Sequence, residues 1–200
     1  MSDLVLASAS HTRRQMLAAA GLAFRVVPAD VDEDALRRVL ADHDHHGTPS
    51  RMAEELARAK AEEVSRRCPD ALVIGADQIL ALGREVFTKP SDLAAAGDAL
   101  RRLSGQTHKL HSAVALARGG ARIWRHVGTA GLTMRRLSDD FIADYLARAG
   151  ERVCASVGAY ELEGLGIQLF DHIDGDYFTI LGLPLPPLLA ELRRQGELRA

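Results

Sequence analysis

The sequence has little of what several protein classes require. It contains two cysteines, Cys68 and Cys154, which are too few and too far apart for a disulfide framework or a cysteine zinc site. Its 25 basic and 27 acidic residues leave no cationic excess, which argues against a surface for a nucleic-acid polymer. No apolar run reaches membrane-spanning length, and the start, MSDLVLASAS, does not have the pattern of a signal peptide. We therefore expect a cytoplasmic protein with free thiols and no membrane partner.

The chain also lacks internal repeats and low-complexity linkers. Its 200 residues are 47% hydrophobic, which is enough to bury a core as one large domain or two lobes. Helical patterns and short apolar runs alternate with hairpin signals, which favours an α/β fold with a mixed sheet over a strictly parallel one. We predict a single unit over residues 1–200, bilobed, with a cleft.

Three local patterns predict one strand and two hairpins. Residues 72–74 form a short apolar run that is typical of a buried strand, and Gly75-Ala76 predicts its end. The pair of glycines in residues 118–121 predicts a hairpin between two long strands. A second hairpin is expected between residues 167–173 and 177–181.

An acid, Asp77, follows the predicted strand at residues 72–74 directly, and Lys89 returns a cation after a hairpin-like segment. A carboxylate at the mouth of a strand can be held rigidly while it faces a cleft, so this pair is a candidate acid/base site. The alternative is that Asp77 only opens a turn and Lys89 is solvated.

The N-terminal segment has the order strand, small polar turn, helix. Ser10 is a natural N-cap, but Arg13 and Arg14 fall in the first helical turn, where the helix dipole disfavours cations. A bound anion would remove this conflict, and the serine hydroxyls, free backbone N–H groups and a guanidinium would form a phosphate site without a P-loop motif. The alternative is that one or both arginines pair with surface acids.

Lys60 lies on the apolar stripe of a helix that Thr48 caps and Pro49 begins. A buried ammonium group is costly unless it reaches solvent or finds an anion, so Lys60 is a second candidate for phosphate binding. Snorkelling of its side chain to solvent is the alternative.

Residues 30–34 carry four carboxylates in five positions. Asp32 can cap the helix that follows, which leaves Glu33 as the better candidate to face a metal ion, although a solvated helix start is the commoner role for such a run. The segment at 42–47, DHDHHG, contains metal-binding residue types, but its polar setting between two helices predicts an exposed loop.

Glycines at 158, 164 and 166 allow close backbone approach around Glu161 and Glu163. A carboxylate in such a loop can accept hydrogen bonds from a ring N–H and an exocyclic amine, as a guanine-like base offers. A tight loop with exposed acids is the alternative.

Seven ordered blocks together resemble the Maf family of nucleoside triphosphate pyrophosphatases and extend over nearly the whole chain. They are LASASHTRRQML, VDE, ARAKA, GADQ, TKP, SGQTH, and EGLGIQLF with GDYFTILGLPL. The resemblance implies a mixed twisted sheet in two lobes around a deep cleft, related to inosine-triphosphate pyrophosphatases, and often a homodimer. It also implies cleavage of a nucleoside triphosphate between its α and β phosphates, in a house-cleaning role, with Mg²⁺ or Mn²⁺ as cofactor.

By position, the resemblance implies that Asp77 is the catalytic general base and that Glu33 and Asp77 hold the metal. The positions implied to bind substrate phosphates are Ser8, Arg13, Lys60 and Lys89. A different function associated with the family is a nucleotide-binding regulatory protein of cell division or septum formation that acts through a protein partner.

Three positions are implied to set base specificity. Gln78 and Glu163 resemble the branch that prefers 7-methyl-GTP, whereas the dTTP- and UTP-preferring branch carries Thr and Gln there. Where the family usually has Pro-Arg, this chain has His11 and Thr12, so one cation is missing, and Thr12 replaces the large aromatic of the 7-methyl-GTP branch.

Overall fold

The computed structural model describes residues 3–42 and 48–199. Most of the predicted loop at 42–47 therefore lies outside the described residues. The strands are β1 Leu4–Leu6, β2 Arg25–Val26, β3 Leu72–Leu82, β4 Glu85–Phe87, β5 Thr107–Arg118, β6 Ala121–Met134 and β7 Phe170–Asp174. The helices are α1 His11–Ala19, α2 Glu33–Asp42, α3 Pro49–Arg67, α4 Leu93–Leu103, α5 Asp139–Ala149, α6 Tyr177–Ile180 and α7 Leu185–Arg194, with 3₁₀ turns at Gly150–Ala155 and Leu165–Leu169.

The strands form a mixed sheet, which confirms the predicted fold class. Their order is β2-β1-β3-β5-β6-β7, and β4 pairs with β3. Strand β1 is parallel to both β2 and β3, whereas β4 is antiparallel to β3 and β7 is antiparallel to β6. Within the described residues, no helix is both long and apolar enough to span a bilayer.

The chain divides into two compact units. The first contains residues up to 78, 111–129 and 177 onward, and the second contains residues 79–110 and 130–176. Strands β3, β5 and β6 each contribute residues to both units.

In the first unit, β1 and β3 are buried on both faces. Leu4 and Leu6 pack into one apolar cluster with residues of α1 and α7, and Val5 packs into another with Val64 of α3. Alternate strand residues point to opposite faces, so this division shows that helices cover both sides of β1. Such burial explains why the strand sequence is continuously apolar rather than alternating.

In the second unit, α4 and α5 pack beside one another and supply buried side chains such as Leu100 and Tyr145. Both helices begin where the sequence offers an oxygen as a cap. Asp92 accepts a hydrogen bond from the backbone N–H of Ala95, and Ser138 accepts one from Phe141. Gly150, with a φ of 68°, ends α5 in the left-handed region that glycine adopts at little cost.

Strand β3 corrects the expectation that the strand ends at Gly75-Ala76, because it continues to Leu82. The glycine is required by packing rather than by a turn. A Cβ atom at Gly75 would lie 2.3 Å from the carbonyl oxygen of Ala57 and 2.6 Å from the backbone nitrogen of Ala61, both in α3. Asp77 therefore lies within a strand, and the alternative that it opens a turn is wrong.

The two predicted hairpins have opposite outcomes. The hairpin at 118–121 is confirmed, with φ of 58° at Gly119 and 82° at Gly120, the left-handed pair that suits a two-residue connection. The hairpin predicted from 167–173 and 177–181 is wrong, because β7 pairs with β6 and residues 177–180 are helical. A short apolar run does not by itself distinguish a strand from a helix.

Candidate active site

The loop between β1 and α1 is organised by two serines. Ser10 caps α1 by accepting a hydrogen bond from the backbone N–H of Arg13 at 3.3 Å. Ser8 is buried, and its Oγ accepts hydrogen bonds from the backbone of Ser10 at 3.2 Å and from Nη1 of Arg13 at 3.2 Å. The loop therefore presents hydroxyl groups and a guanidinium at one helix N-terminus.

Arg13 is buried and ties three parts of the first unit together. Its Nε donates to the carbonyl oxygen of Gly182 at 2.8 Å, and its Nη1 donates to that of Ala76 at 2.9 Å. Burial lowers the pKa of the guanidinium, and the nearby carboxylates of Asp77 and Glu33 partly offset this effect. Arg13 does not pair with a surface acid, so that alternative is wrong for this residue.

The other cation of the first helical turn has a local role. Arg14 is exposed, and its Nη2 contacts Nδ1 of His11 at 2.8 Å. The two arginines of the first helical turn therefore have different surroundings. Arg13 turns inward, and Arg14 pairs with an imidazole at the helix start.

Lys60 is the buried centre of a group of charged side chains. Its Nζ contacts Oδ1 of Asp77 at 2.6 Å and Oε1 of Glu33 at 2.7 Å. The lysine is 9% exposed, so the alternative that its ammonium snorkels to solvent is wrong. Glu33 is also 2.8 Å from Nη2 of Arg37, and Asp32 caps α2 by accepting from the backbone of Ala35.

Asp77 has two carboxylate oxygens in different situations. Oδ1 is bound by Lys60, whereas Oδ2 is buried and has no hydrogen-bond partner among the described residues. The side chain as a whole is 6% exposed. A buried carboxylate oxygen without a donor is costly, so its presence beside two cations indicates a group kept for a ligand or a reaction.

Gln78, the next residue of β3, is held by its amide nitrogen. Nε2 donates to Oγ of Ser112 at 2.9 Å, and it also contacts the carbonyl oxygens of Thr179 at 3.2 Å and Ile180 at 2.9 Å. Ser112 is a site residue that local sequence patterns did not predict. The sequence feature that could have pointed to it is a serine hydroxyl beside an apolar run. In the structure Ser112 is fully buried and directly precedes the buried residues 113–117.

The structure brings Ser8, Arg13, Glu33, Lys60 and Asp77 together in the first unit, through the contacts above. Thr12 lies half-buried in the first turn of α1. Lys89 and Glu163 belong to the second unit, where both are exposed. The roles of all these residues stay predictions.

The two carboxylates that contact Lys60 could supply only part of the ligands of a divalent metal ion. Glu33 and the unpartnered Oδ2 of Asp77 are hard oxygen donors, as Mg²⁺ and Mn²⁺ prefer. The described residues contain no group of three or more His, Cys, Asp or Glu side chains suited to a metal ion. The donor set therefore fits an ion that takes its other ligands from phosphate oxygens and water rather than from the protein.

A family model described as Maf-like protein matches residues 3–195. Because it extends over nearly the whole chain, the protein belongs to the Maf family.

The chain is also similar to individual members of that family. It is 54% identical over 195 residues to the 7-methyl-GTP pyrophosphatase of Rhizobium etli, which covers 98% of this chain and 97% of the relative. It is 56% identical over 195 residues to the 7-methyl-GTP pyrophosphatase of Mesorhizobium japonicum, with the same coverage. Identity to the nucleoside triphosphate pyrophosphatase of Nitrobacter hamburgensis is 49% over 195 residues, covering 98% of this chain and 95% of the relative.

Proposed function

We propose that this chain is a nucleoside triphosphate pyrophosphatase that hydrolyses the α–β phosphoanhydride to a nucleoside monophosphate and pyrophosphate. The observation that carries the proposal is the Asp77 carboxylate, whose Oδ1 is held by Lys60 and whose Oδ2 is buried without a partner among residues 3–42 and 48–199. Its relatives are named as pyrophosphatases of this kind, which supports the same reaction here.

In this proposal, Asp77 acts as the general base. A water oxygen attacks phosphorus, its proton passes to Oδ2 of Asp77, and the P–O bond between the α and β phosphates breaks as pyrophosphate leaves. Lys60 holds Oδ1 at 2.6 Å, which orients the carboxylate toward the attacking water. The charge gathered on the phosphates is stabilised by cations of the chain rather than by a covalent intermediate.

The phosphate contacts are proposed for Ser8, Arg13, Lys60 and Lys89. In Arg13, Nε and Nη1 are already bound to the protein, while Nη2 has no partner among the described residues and is the nitrogen left for a phosphate. Because the other donors fix its plane, the guanidinium would meet a phosphate with little loss of conformational freedom.

Glu33 and Asp77 are proposed to hold Mg²⁺ or Mn²⁺ together with substrate oxygens. When bound, such an ion neutralises phosphate charge and lowers the pKa of water. With a metal bound, the carboxylates of Glu33 and Asp77 would contact both Lys60 and the ion.

The proposed substrate within the class is 7-methyl-GTP, with Thr12, Gln78 and Glu163 as specificity residues. The names of the two relatives that are 54% and 56% identical support it. The protein is proposed to act in the cytoplasm as a homodimer, which light scattering on the purified protein would test. No observation favours the alternative of a regulatory protein of cell division.

The test measures pyrophosphate and orthophosphate separately after incubation of the protein with 7-methyl-GTP, GTP, dTTP and UTP, with Mg²⁺ or Mn²⁺. Pyrophosphate as the direct product is expected, with a loss of about 10²- to 10⁴-fold in Asp77→Asn. Glu191→Gln is the matched control, because Glu191 is also a buried carboxylate of the first unit, 4% exposed, but pairs with Arg194 on α7. Direct release of orthophosphate would instead indicate a phosphatase, and no turnover at all would overturn the proposal.

A further inference from the structure

Gln78 has an amide whose two ends face different surroundings. Its Nε2 points at three oxygen atoms, Oγ of Ser112 and the carbonyls of Thr179 and Ile180. Its Oε1 accepts no hydrogen bond from the described residues. The side chain is half-buried, and its Oε1 is an acceptor without a donor from the part of the chain that the structure describes.

Chemistry fixes which end of this amide points inward. The carbonyls of Thr179 and Ile180 are acceptors only, so they require the NH₂ group. Ser112 has a single O–H, which it donates to the carbonyl of Thr179 at 2.7 Å, so toward Gln78 its Oγ can only accept. A flipped amide would set Oε1 against these oxygens with no proton between them.

Ser112 is the side chain that completes this arrangement. It is fully buried on β5, and its hydroxyl both holds the carbonyl of Thr179 and receives Nε2 of Gln78. The same stretch of backbone is tied to β3 a second time, because Arg13 bridges the carbonyls of Gly182 and Ala76. Gln78 also lies near Gly182, where an added Cβ atom would be 3.6 Å from its Cδ and 3.4 Å from Nη2 of Arg13.

We infer that Ser112 is a positioning residue for substrate specificity: it locks the Gln78 amide so that Oε1 faces the nucleotide as an obligate hydrogen-bond acceptor. The inference rests on the proposed pyrophosphatase function. An obligate acceptor favours a base that presents an N–H donor at the point of contact over one that presents an acceptor there, and guanine presents adjacent donors at N1 and at the exocyclic nitrogen. A freely rotating amide would offer a donor or an acceptor equally and would discriminate less.

The first test does not depend on activity. In protein labelled with ¹⁵N at glutamine side chains, the Gln78 amide protons should exchange slowly with solvent, and Ser112→Ala should accelerate that exchange. Exposed Gln106 is the internal reference for fast exchange. Equally slow exchange of the Gln78 amide in Ser112→Ala would overturn the inference even if the protein is a pyrophosphatase.

The second test compares kcat/KM for GTP with that for ITP, which lacks the exocyclic amine, and for ATP, which lacks the N1–H. In Ser112→Ala at least one of the two ratios should fall about three- to tenfold, mainly through KM, because one neutral hydrogen bond no longer has a fixed acceptor. Ser112→Cys, with a weaker donor and acceptor, should give an intermediate shift and serves if the alanine variant does not fold.

Ser65→Ala is the matched control. Ser65 is equally buried in the first unit, but its Oγ accepts from the backbone N–H of Gly120 on the β5–β6 connection. This variant should lose stability and keep both substrate ratios. Ratios that change alike in Ser65→Ala and Ser112→Ala, or in neither, would overturn the inference, whereas a wild-type protein that releases no pyrophosphate would overturn the proposed function instead.

Discussion

The two units of the molecule bury polar groups in opposite ways. The first unit buries an ion pair, Lys60 with Asp77, and the half-buried Glu33 also contacts Lys60. The second unit buries His108, whose Nε2 lies 2.7 Å from the hydroxyl of Tyr160 in an aromatic cluster completed by Phe170. Burial lowers the pKa of His108 from 6.5 to about 4 and raises the pKa of Tyr160 above its usual range, so this pair stays neutral at pH 7.

This difference in charge indicates different roles for the two buried groups. Nδ1 of His108 is also buried without a partner among the described residues, but an unpaired atom in a neutral pair costs less desolvation free energy than a buried charge does. A buried ion pair costs desolvation free energy and is weak evidence for stability, so its presence indicates another use. We interpret the ionic group as the reactive part of the molecule and the histidine–tyrosine pair as a structural part.

The largest expected effect comes from Lys60→Met, which leaves Asp77 buried without its direct cation. We expect the free energy of unfolding to fall by roughly 3–5 kcal/mol, because an uncompensated charge remains inside the first unit. Turnover should be lost as well. Chemical denaturation and the pyrophosphate assay measure the two effects.

A double variant makes this prediction sharper. Lys60→Met with Asp77→Asn removes both charges, so most of the lost stability should return while turnover stays absent. Lys109→Met is the control, because Lys109 is exposed and its replacement should change stability by less than about 0.5 kcal/mol. A Lys60→Met protein as stable as the wild type would show that the ammonium is not the counter-ion of Asp77.

A smaller effect is expected from pH at His108. Between the usual pKa of 6.5 and the lowered value of about 4, the unfolded chain binds a proton that the folded chain does not. The free energy of unfolding therefore falls as the pH falls through this interval, by about 2 kcal/mol between pH 7 and pH 5. Denaturation curves at the two pH values measure the difference.

His108→Gln should lose this part of the pH dependence, since glutamine does not titrate and can still hydrogen-bond to Tyr160. The exposed His172 provides the control, and His172→Gln should keep the wild-type dependence. An identical fall in stability in the wild type and His108→Gln would mean that other groups carry the acid sensitivity.

Much of the site could be predicted because charged residues stand out at positions where local patterns predict burial. Lys60 interrupts an apolar helical stripe, and Arg13 lies where the helix dipole disfavours a cation. Each cation therefore carries a free-energy cost that a bound anion would lower, which makes both positions recognisable from the sequence. The pairing of Lys60 with Asp77 and Glu33 could not be predicted, because a contact over 17 residues or more depends on tertiary packing.

The errors have a physical cause as well. Gly75 has the sequence signature of a strand end, but it is small because α3 lies against it. Residues 177–180 have strand-like composition, yet they form a helical turn whose carbonyls receive the side chains of Gln78 and Ser112. In both cases a partner distant in sequence decides the local structure, and local propensity carries no information about it.

The smallest expected effect concerns Glu163 and tests whether the second unit contributes to specificity. A carboxylate accepts two N–H hydrogen bonds from a guanine-type base, whereas an amide presents a mismatched donor, so Glu163→Gln should lower the ratio of kcat/KM for 7-methyl-GTP to that for UTP by about tenfold. Glu161→Gln is the matched control, because Glu161 lies in the same glycine-rich segment but pairs with Arg152 at 3.1 Å. An unchanged substrate ranking in Glu163→Gln would remove this residue from base recognition. A shift specific to this variant would show that a carboxylate of the second unit contributes to the choice of base.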